Sequence, residues 1–258
     1  MLRNLLLTSV AIAAFSTAAF AADLPSRKAP MAEPYVAPPI FTWTGFYVGA
    51  AIGGGWTNDN ARIAGAGGVI ATENMNSSGV VGGLYAGYNY QFSNAIVLGL
   101  EADVDATSIS KTSGVINVLG GPPFLGNADK ESIPWQGSLR GRLGYAIDHV
   151  LLYATGGFAF GGINTSYATA GVPGSLVSFN GTQTGWTVGG GLEYAFNANW
   201  IGRVEYRYTQ FSAFTDNPVA PGNALAAFNV RHNVSENAVK VGIAYKFGAP
   251  ASAVVAKY

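Results

Sequence analysis

The stretch GWTVGGGLEYAFNANWIGRVEYRYTQ, from Gly185 to Gln210, constrains the fold more than any other part of the chain. Apolar and polar residues alternate on both sides of a turn at 197–199, and a period of two is typical of β-strands. The apolar face of each arm has aromatic residues towards both ends, which is typical of a strand that crosses a bilayer. In the second arm the apolar face holds Trp200, Val204, Tyr206 and Tyr208, and the polar face holds Arg203, Glu205 and Arg207.

The composition favours a membrane barrel over a soluble one. Charged residues are only 11% of the 258 residues, whereas there are 35 glycines and 12% aromatic residues. A soluble barrel needs charge on its outer surface, and this chain has little. The formal net charge of zero gives no reason to expect a nucleic-acid partner. Because there is no cysteine, disulfides and thiolate chemistry are excluded.

The N-terminus predicts an export signal. Arg3 precedes an apolar run over 5–20, and the small residues Ala19 and Ala21 form a cleavage site. We expect cleavage after Ala21, with Ala22 as the alternative, so that residues 1–21 are removed. Residues 22–40 contain five prolines and are expected to form an extended periplasmic lead-in. The barrel is expected over 41–247, and a periplasmic tail over 248–258.

Eight arms with period-two alternation follow from Phe41 onward, and together they predict an all-β, eight-stranded antiparallel up-and-down transmembrane barrel. Three connections are very short, and four, at about 57–79, 107–132, 165–182 and 212–235, are expected to be long extracellular loops. Such alternation of long and short connections is what an up-and-down barrel with periplasmic termini requires. The arms are about 43–56, 80–92, 95–106, 133–147, 149–164, 185–196, 200–210 and 236–247.

The polar faces of these arms carry charges of both signs. If the apolar faces meet lipid, the charged residues line the lumen, where charge persists only when it is paired or solvated. An eight-stranded interior is just wide enough for side chains to fill, so we expect a salt-bridged plug. A narrow ion path is the alternative, and in a soluble lipocalin-like barrel the faces would be reversed. The expected network is Glu101, Asp103, Asp105, Glu193 and Glu205 against Arg140, Arg142, Arg203, Arg207, Lys240 and Lys246.

Three segments resemble a known family. They are WTGFYVGAAIGGGW at 43–56, GWTVGGGLEYAFNANWIGRVEYRYTQF at 185–211 and VKVGIAYKF at 239–247. These segments, with ADLP at 22–25, resemble the small alphaproteobacterial outer-membrane barrels. These are porin-family surface antigens of rhizobia and brucellae, similar in architecture to OmpA and the opacity proteins.

The resemblance implies an eight-stranded barrel in the outer membrane, and it supplies no catalytic residue. Roles proposed within the family include envelope stability, surface interaction, limited permeation and, for some members, haem binding. The chain departs from the pattern at its end. Tyr245 and Phe247 match the terminal assembly signal of such barrels, but residues 248–258 follow them, so either the signal is internal or Tyr258 replaces it.

Few residues suggest reaction chemistry. His232, Ser235 and Glu236 lie close together near the outer mouth, and the sequence leaves open a rim hydrolase triad, although spacing cannot establish such geometry. His232 or Tyr167 is a candidate haem ligand by chemical type. No metal-binding or phosphate-binding motif occurs in the sequence. We therefore expect no enzyme activity, no catalytic or metal site and no cofactor.

The tryptophans near the strand ends predict an aromatic belt that fixes the depth of the barrel in the membrane. The function expected from the sequence is structural and surface-interacting; a diffusion channel is the runner-up, and a haem or ligand receptor the third candidate. The expected partners are outer-membrane lipid, lipopolysaccharide, the barrel-assembly machinery and an unknown extracellular partner of the loops, with no nucleic acid. The belt residues are Trp43, Trp56, Trp135, Trp186 and Trp200.

Overall fold

The computed structural model describes residues 41–66, 68–118, 124–169, 171–223 and 225–248. The predicted signal peptide with Ala19 and Ala21, the lead-in at 22–40 and the tail after Gly248 lie outside these ranges. Within them, no helix is long and apolar enough to span a membrane.

Ten strands form one antiparallel sheet, and eight of them close into a ring. Each of β1 to β6 pairs with the next strand along the chain, and β10 pairs with both β7 and β1, which confirms the predicted eight-stranded barrel. The strands are β1 Gly45–Gly65, β2 Gly68–Gln91, β3 Ile96–Val118, β4 Phe124–Ile147, β5 Val150–Thr169, β6 Val177–Ala195, β7 Trp200–Phe211, β8 Phe214–Asp216, β9 Asn229–His232 and β10 Val234–Lys246.

The short strands β8 and β9 continue the wall beyond β7 and β10. Asp59 of β1 pairs with Val234 of β10, and three residues further along β1 Arg62 pairs with Arg231 of β9. The strand β8 pairs in turn with β9. The sheet therefore continues on the side of β1 past the start of β10.

The apolar faces look outward. Trp200 is 44% exposed, whereas Arg203 on the same strand is only 5% exposed. The other strands of the ring have the same arrangement, with exposed residues such as Val48, Leu100 and Leu139. The alternative of a soluble barrel with an apolar interior and a charged outer wall is therefore wrong for this part of the molecule.

Of the four long loops expected from the sequence, the first three are mostly strand in the residues that the structure describes, so the prediction is wrong over most of their length. The fourth, at 212–235, is mostly without strand and holds β8, β9 and the start of β10 among its described residues. The strands β1 and β2 run on to Gly65 and from Gly68, and β3 to β6 extend similarly. The physical reason lies in the side chains. Past Trp56 the outward positions become polar, as at Asn58 and Asn60, so the apolar signal of a membrane strand ends while backbone pairing continues.

The inward positions change in the opposite sense. Ala61 and Ile63 face inward on β1 and pack with Ala71 and Val230 in an apolar cluster. Near the short turns, the outer surface of the barrel is therefore apolar and its lumen is polar. Further from the short turns, the outer surface is polar and the lumen is partly apolar. We call the part beyond Trp56 and Trp135, away from the short turns, the polar extension.

A β-bulge in β4 changes which residues of the strand face the lumen on its two sides. The pairing of β4 with β5 shifts between Ser132 and Trp135, and both Pro134 and Trp135 point outward. Because a bulge inserts one extra residue, odd-numbered Glu131 and even-numbered Arg140 both face the lumen. Strict alternation from Arg140 would have placed Glu131 outside.

Candidate functional site

A connected network of charged side chains lies in the lumen between the short turns and the polar extension. Its ten members come from five strands, β3, β4, β6, β7 and β10, and all are buried. We call them the ion-pair network. With five carboxylates and five basic groups it is formally neutral. The members are Glu101, Asp103, Asp105, Arg140, Arg142, Glu193, Arg203, Glu205, Arg207 and Lys240.

Glu101 is the hub of the network. Its carboxylate lies 2.7 Å from Arg140, 3.3 Å from Arg142 and 2.5 Å from Arg203. The Tyr47 hydroxyl donates a further hydrogen bond of 2.7 Å to Glu101. One carboxylate therefore holds three guanidinium groups together, and charge-assisted bonds of this kind are the strong ones in proteins.

The network crosses the lumen from wall to wall. In a ring of eight strands β3 and β7 are four positions apart, so they lie on opposite sides. Glu101 of β3 nevertheless contacts Arg203 of β7 at 2.5 Å. Arg207 of β7 lies 2.7 Å from both Asp103 and Asp105 of β3. Side chains from opposite walls therefore meet directly in the lumen at this level.

Lumen tyrosines support the arginines. The guanidinium carbon of Arg142 lies 3.9 Å from the ring centroid of Tyr153, and that of Arg203 lies 4.0 Å from Tyr85. Such cation–π contacts hold a guanidinium plane in place where water is excluded. Glycine makes room for the rings, because a Cβ on Gly49 would lie 2.5 Å from the Tyr85 ring.

Ten of the eleven charges expected in the network meet there, and Lys246 does not. Its ammonium donates a hydrogen bond to the Thr42 carbonyl oxygen and lies 4.5 Å from the Phe41 ring centroid. It belongs to the closure at the short-turn end, where the chain that precedes β1 folds across the opening. Including Lys246 in the ion-pair network was therefore wrong.

Trp43 also belongs to this closure and not to the aromatic belt. It is 1% exposed, packs in an apolar cluster with Tyr47 and Leu151, and donates its indole N–H to the Asp148 carbonyl oxygen. Trp43 precedes the first strand, so strand alternation does not govern its direction. The other belt candidates, Trp56, Trp135, Trp186 and Trp200, point outward, as do Tyr245 and Phe247.

A second buried group lies in the polar extension, and the sequence did not predict it. Nδ1 of His232 lies 2.6 Å from the Asp59 carboxylate, and Nε2 lies 2.5 Å from the Tyr167 hydroxyl. Tyr167 donates to Asp216 at 2.9 Å. We call these residues with Glu131 the His232 cluster. Its members come from β1, β4, β5, β8 and β9, and no sequence motif links residues so far apart.

The geometry of the His232 cluster contradicts His232 as a haem ligand and the rim triad. His232 is fully buried and both its nitrogens are engaged, so neither is free to hold haem iron. Ser235 faces outward, whereas His232 faces inward, and the Ser235 hydroxyl contacts the Asn58 carbonyl oxygen. The side chain of Glu236 accepts a hydrogen bond from Gln136 at 2.9 Å. The rim triad of His232, Ser235 and Glu236 is therefore wrong.

The polar atoms of the His232 cluster are arranged for hydrogen bonds with one another and not for binding a metal ion. Ligand atoms of Asp59, Glu131 and His232 lie within 4.8 Å of one another, the spacing a cation would need. However, both nitrogens of His232 and both oxygens of Asp59 already have hydrogen-bond partners. Burial, and then the neighbouring Asp59 carboxylate, raise the pKa of Glu131 to about 9. Glu131 thus retains a proton at neutral pH and lowers the negative charge of the cluster.

Comparison with known proteins decides the family. The sequence matches the model of the outer membrane protein beta-barrel domain over residues 7–247. The chain belongs to this family. The chain is similar to a 31 kDa outer-membrane immunogenic protein of Brucella melitensis. The two are 33% identical, over 95% of this chain and 100% of that protein. A 22 kDa outer membrane protein of Rhizobium leguminosarum is 32% identical over 81% of this chain and 80% of its own length.

Among solved structures, the outer membrane protein OprG from Pseudomonas aeruginosa aligns with this outer-membrane barrel at a TM-score of 0.44. The identity is 14%, and the alignment covers 81% of this chain and 99% of that chain. The resemblance to surface antigens of rhizobia and brucellae is confirmed by the two curated relatives.

The outer-membrane barrel lies in the outer membrane, and its exposed apolar band has the height this requires. On β1 the band runs from Phe46 to Trp56. Ten residue steps at about 3.3 Å each, tilted by about 40°, span roughly 25 Å, which is the usual height of the apolar band in such barrels. The ion-pair network lies within this height, and the His232 cluster lies beyond it.

Proposed function

We propose that this protein is a structural and surface-interacting barrel whose lumen is closed. The ion-pair network closes the membrane-spanning part, and the polar extension presents the outer surface of the barrel to the medium. The direct contact between side chains of opposite walls, Glu101 with Arg203 and Asp103 with Arg207, is the observation that carries the proposal. An open pore would need these groups to be hydrated and apart.

Bilayer conductance tests the closed lumen. Purified protein inserted into a planar bilayer should give no stable conductance steps. The double variant Arg203→Ala/Arg207→Ala removes both contacts to β3 and should give small steps that grow with salt concentration. Lys130→Ala, which removes an exposed charge in the polar extension, is the matched control and should stay closed.

Reproducible steps from the wild type, altered in ion selectivity by Arg140→Glu, would overturn this proposal in favour of a narrow diffusion channel. A gel-mobility shift on heating shows whether each variant is folded before it is tested. The wild-type recording decides the question even if the double variant does not fold.

The surface role is supported by the Brucella melitensis relative, whose description is outer-membrane immunogenic protein. We propose that the polar extension projects outside the cell, with the short turns in the periplasm. An epitope inserted at Gly174, between β5 and β6, should be labelled by antibody on intact cells. An epitope at Asn197 in the short turn between β6 and β7 should be labelled only after the cells are permeabilised.

A further inference from the structure

Two arginines face each other on the outer wall of the polar extension. Arg62 of β1 and Arg231 of β9 are directly opposite in the strand register, and both point outward. Like charges in this arrangement destabilise a sheet. In the part of the chain that the structure describes, neither arginine forms an ion pair with a carboxylate.

The two arginines line a polar cavity of about 790 Å³. Asn60, Thr72, Asn74 and Asn233 contribute amide and hydroxyl groups, and the described residues that line the cavity include no carboxylate. The cavity therefore has two unneutralised guanidinium groups beside neutral hydrogen-bonding groups. We call it the arginine pocket.

The position of the pocket selects the kind of ligand. Arg62 lies six residues beyond Trp56 on β1, about 20 Å further along the strand, on the outward face. This height is above the apolar band, where the phosphorylated sugars of the outer leaflet surround a barrel. Guanidinium groups suit phosphate because they donate two parallel hydrogen bonds. Amides suit the hydroxyl groups of a saccharide.

We propose that the arginine pocket binds a phosphate-bearing saccharide, the chemistry of the inner sugars of lipopolysaccharide. The inference rests on the proposed outward direction of the polar extension. Arg62 and Arg231 hold the phosphate, and Asn60, Asn74 and Asn233 hydrogen-bond to the sugar. The bound anion relieves the repulsion between the arginines.

Titration calorimetry of the full protein in detergent micelles tests the proposal with three probes. They are a deacylated phosphorylated saccharide prepared from lipopolysaccharide, the same saccharide after phosphatase treatment, and inorganic phosphate. The first should bind saturably, and the second should bind at least about tenfold more weakly, because a charge-assisted bond contributes about 1.5–3 kcal/mol. Inorganic phosphate should bind more weakly than the phosphorylated saccharide because it lacks the contacts to the amides.

Variants assign the site. Arg62→Gln and Arg231→Gln should each weaken binding of the phosphorylated saccharide about tenfold or more, and Lys130→Gln, an exposed cation outside the pocket, should leave it unchanged. Equal binding by wild type and the double arginine variant would overturn the proposal. So would inorganic phosphate that binds as tightly as the saccharide, since the pocket would then be a general anion site.

Failure of this inference is distinguishable from failure of the proposed function. Conductance depends on the ion-pair network and not on the arginine pocket, and antibody labelling tests the direction of the polar extension by itself. A closed, correctly oriented barrel that does not bind the phosphorylated saccharide would refute the pocket alone.

Discussion

The Glu101 carboxylate forms ion pairs with three arginines in the lumen. Burial of an ionised carboxylate is costly unless its partners are close and well oriented. Here three arginines and one tyrosine hydroxyl surround it. The arrangement is reciprocal, because the arginines are buried too and depend on the same carboxylate. Loss of this one group therefore leaves several charges without full compensation.

Glu101→Gln is expected to destabilise the barrel by about 3–5 kcal/mol, the usual cost of breaking a buried ion pair from one side. The measurement is urea unfolding in lipid vesicles, followed by tryptophan fluorescence. Lys111→Gln, an exposed charge on the same strand, is the control and should change the unfolding free energy by less than about 0.5 kcal/mol. Similar stability of the two variants would show that Glu101 is not the hub.

Two glycines on β1 give a matched pair. A methyl group on Gly49 would lie 2.5 Å from the Tyr85 ring and 2.6 Å from the Ile243 carbonyl oxygen, whereas one on Gly54 would meet nothing within 4 Å. Gly49→Ala should therefore destabilise the barrel by about 1–3 kcal/mol through overpacking. Gly54→Ala should be neutral in the same urea titration, and equal effects would contradict the packing of the lumen.

Glu131 gives stability a pH dependence. Its pKa is raised in the folded protein from 4.5 to about 9, so the folded state binds the proton more tightly than the unfolded state. The resulting stabilisation is complete below about pH 4.5 and is lost as the pH rises towards 9. Between these values the slope is at most about 1.4 kcal/mol per pH unit.

Glu131→Gln should remove this slope. Urea unfolding in vesicles between pH 5 and pH 9 should show the wild type losing stability relative to the variant as the pH rises. Other titrating groups are common to both proteins, so the difference reports Glu131. Parallel curves would mean that Glu131 titrates normally in the folded barrel.

At the scale of the strand, the change of polarity along each wall explains what the sequence revealed. The membrane-spanning arms could be predicted because lipid outside and charge inside produce a strong alternation, as along Arg203, Val204 and Glu205. Beyond the tryptophans both faces are mixed, as in the run from Asn58 to Arg62, and the alternation no longer separates strand from loop. Pairing between backbones, which decides the matter there, leaves no signal in side-chain polarity.

The residues of the candidate site could likewise be predicted in the membrane-spanning arms and not beyond them. The ion-pair network was predicted because each member lies on a strand with a clear apolar face. The side chains at the ends, Trp43 and Lys246, were misplaced because contacts with the chain before β1 fix their positions. The His232 cluster and the arginine pocket depend on the pairing of β9 with β1, a long-range contact that the local pattern does not contain.

The strand extension is testable because the chain has no cysteine. In Asn60→Cys the thiol should point outward and react rapidly with a water-soluble maleimide, whereas in Ala61→Cys it should point into the apolar cluster and react slowly. Since neighbours in a strand point to opposite sides, a large difference in rate is expected. Equal rates would show that residues 57–65 form a mobile loop, as the sequence alone suggested.

Across the whole molecule, the lumen consists of stacked layers. An apolar cluster with Trp43 lies at the short-turn end, and the ion-pair network follows. A second apolar cluster of Ile133, Ile163, Phe211 and Val234 separates the network from the His232 cluster. Apolar side chains therefore lie on both sides of the ion-pair network along the barrel.

Because the ion-pair network is buried, we expect the stability of the barrel to depend only weakly on salt concentration. Screening acts over about 8 Å at physiological ionic strength, and it acts much less on buried pairs than on exposed ones. Raising sodium chloride from 0.05 to 1 M should therefore leave the unfolding midpoint in vesicles nearly unchanged. Binding to the exposed arginine pocket should weaken strongly over the same range. A large fall in the midpoint would indicate that solution reaches the ion-pair network.

The polar extension also has a consequence for biogenesis. Its hairpins carry asparagines, and all except the β5–β6 hairpin also carry charged residues. In the proposed orientation these polar groups must pass through hydrocarbon before the ring can close, so spontaneous insertion into a plain lipid film faces a high barrier. The same groups oppose the reverse passage once they are hydrated on the far side. The polar extension thus slows insertion into the membrane, and after insertion it keeps the protein from reversing its orientation.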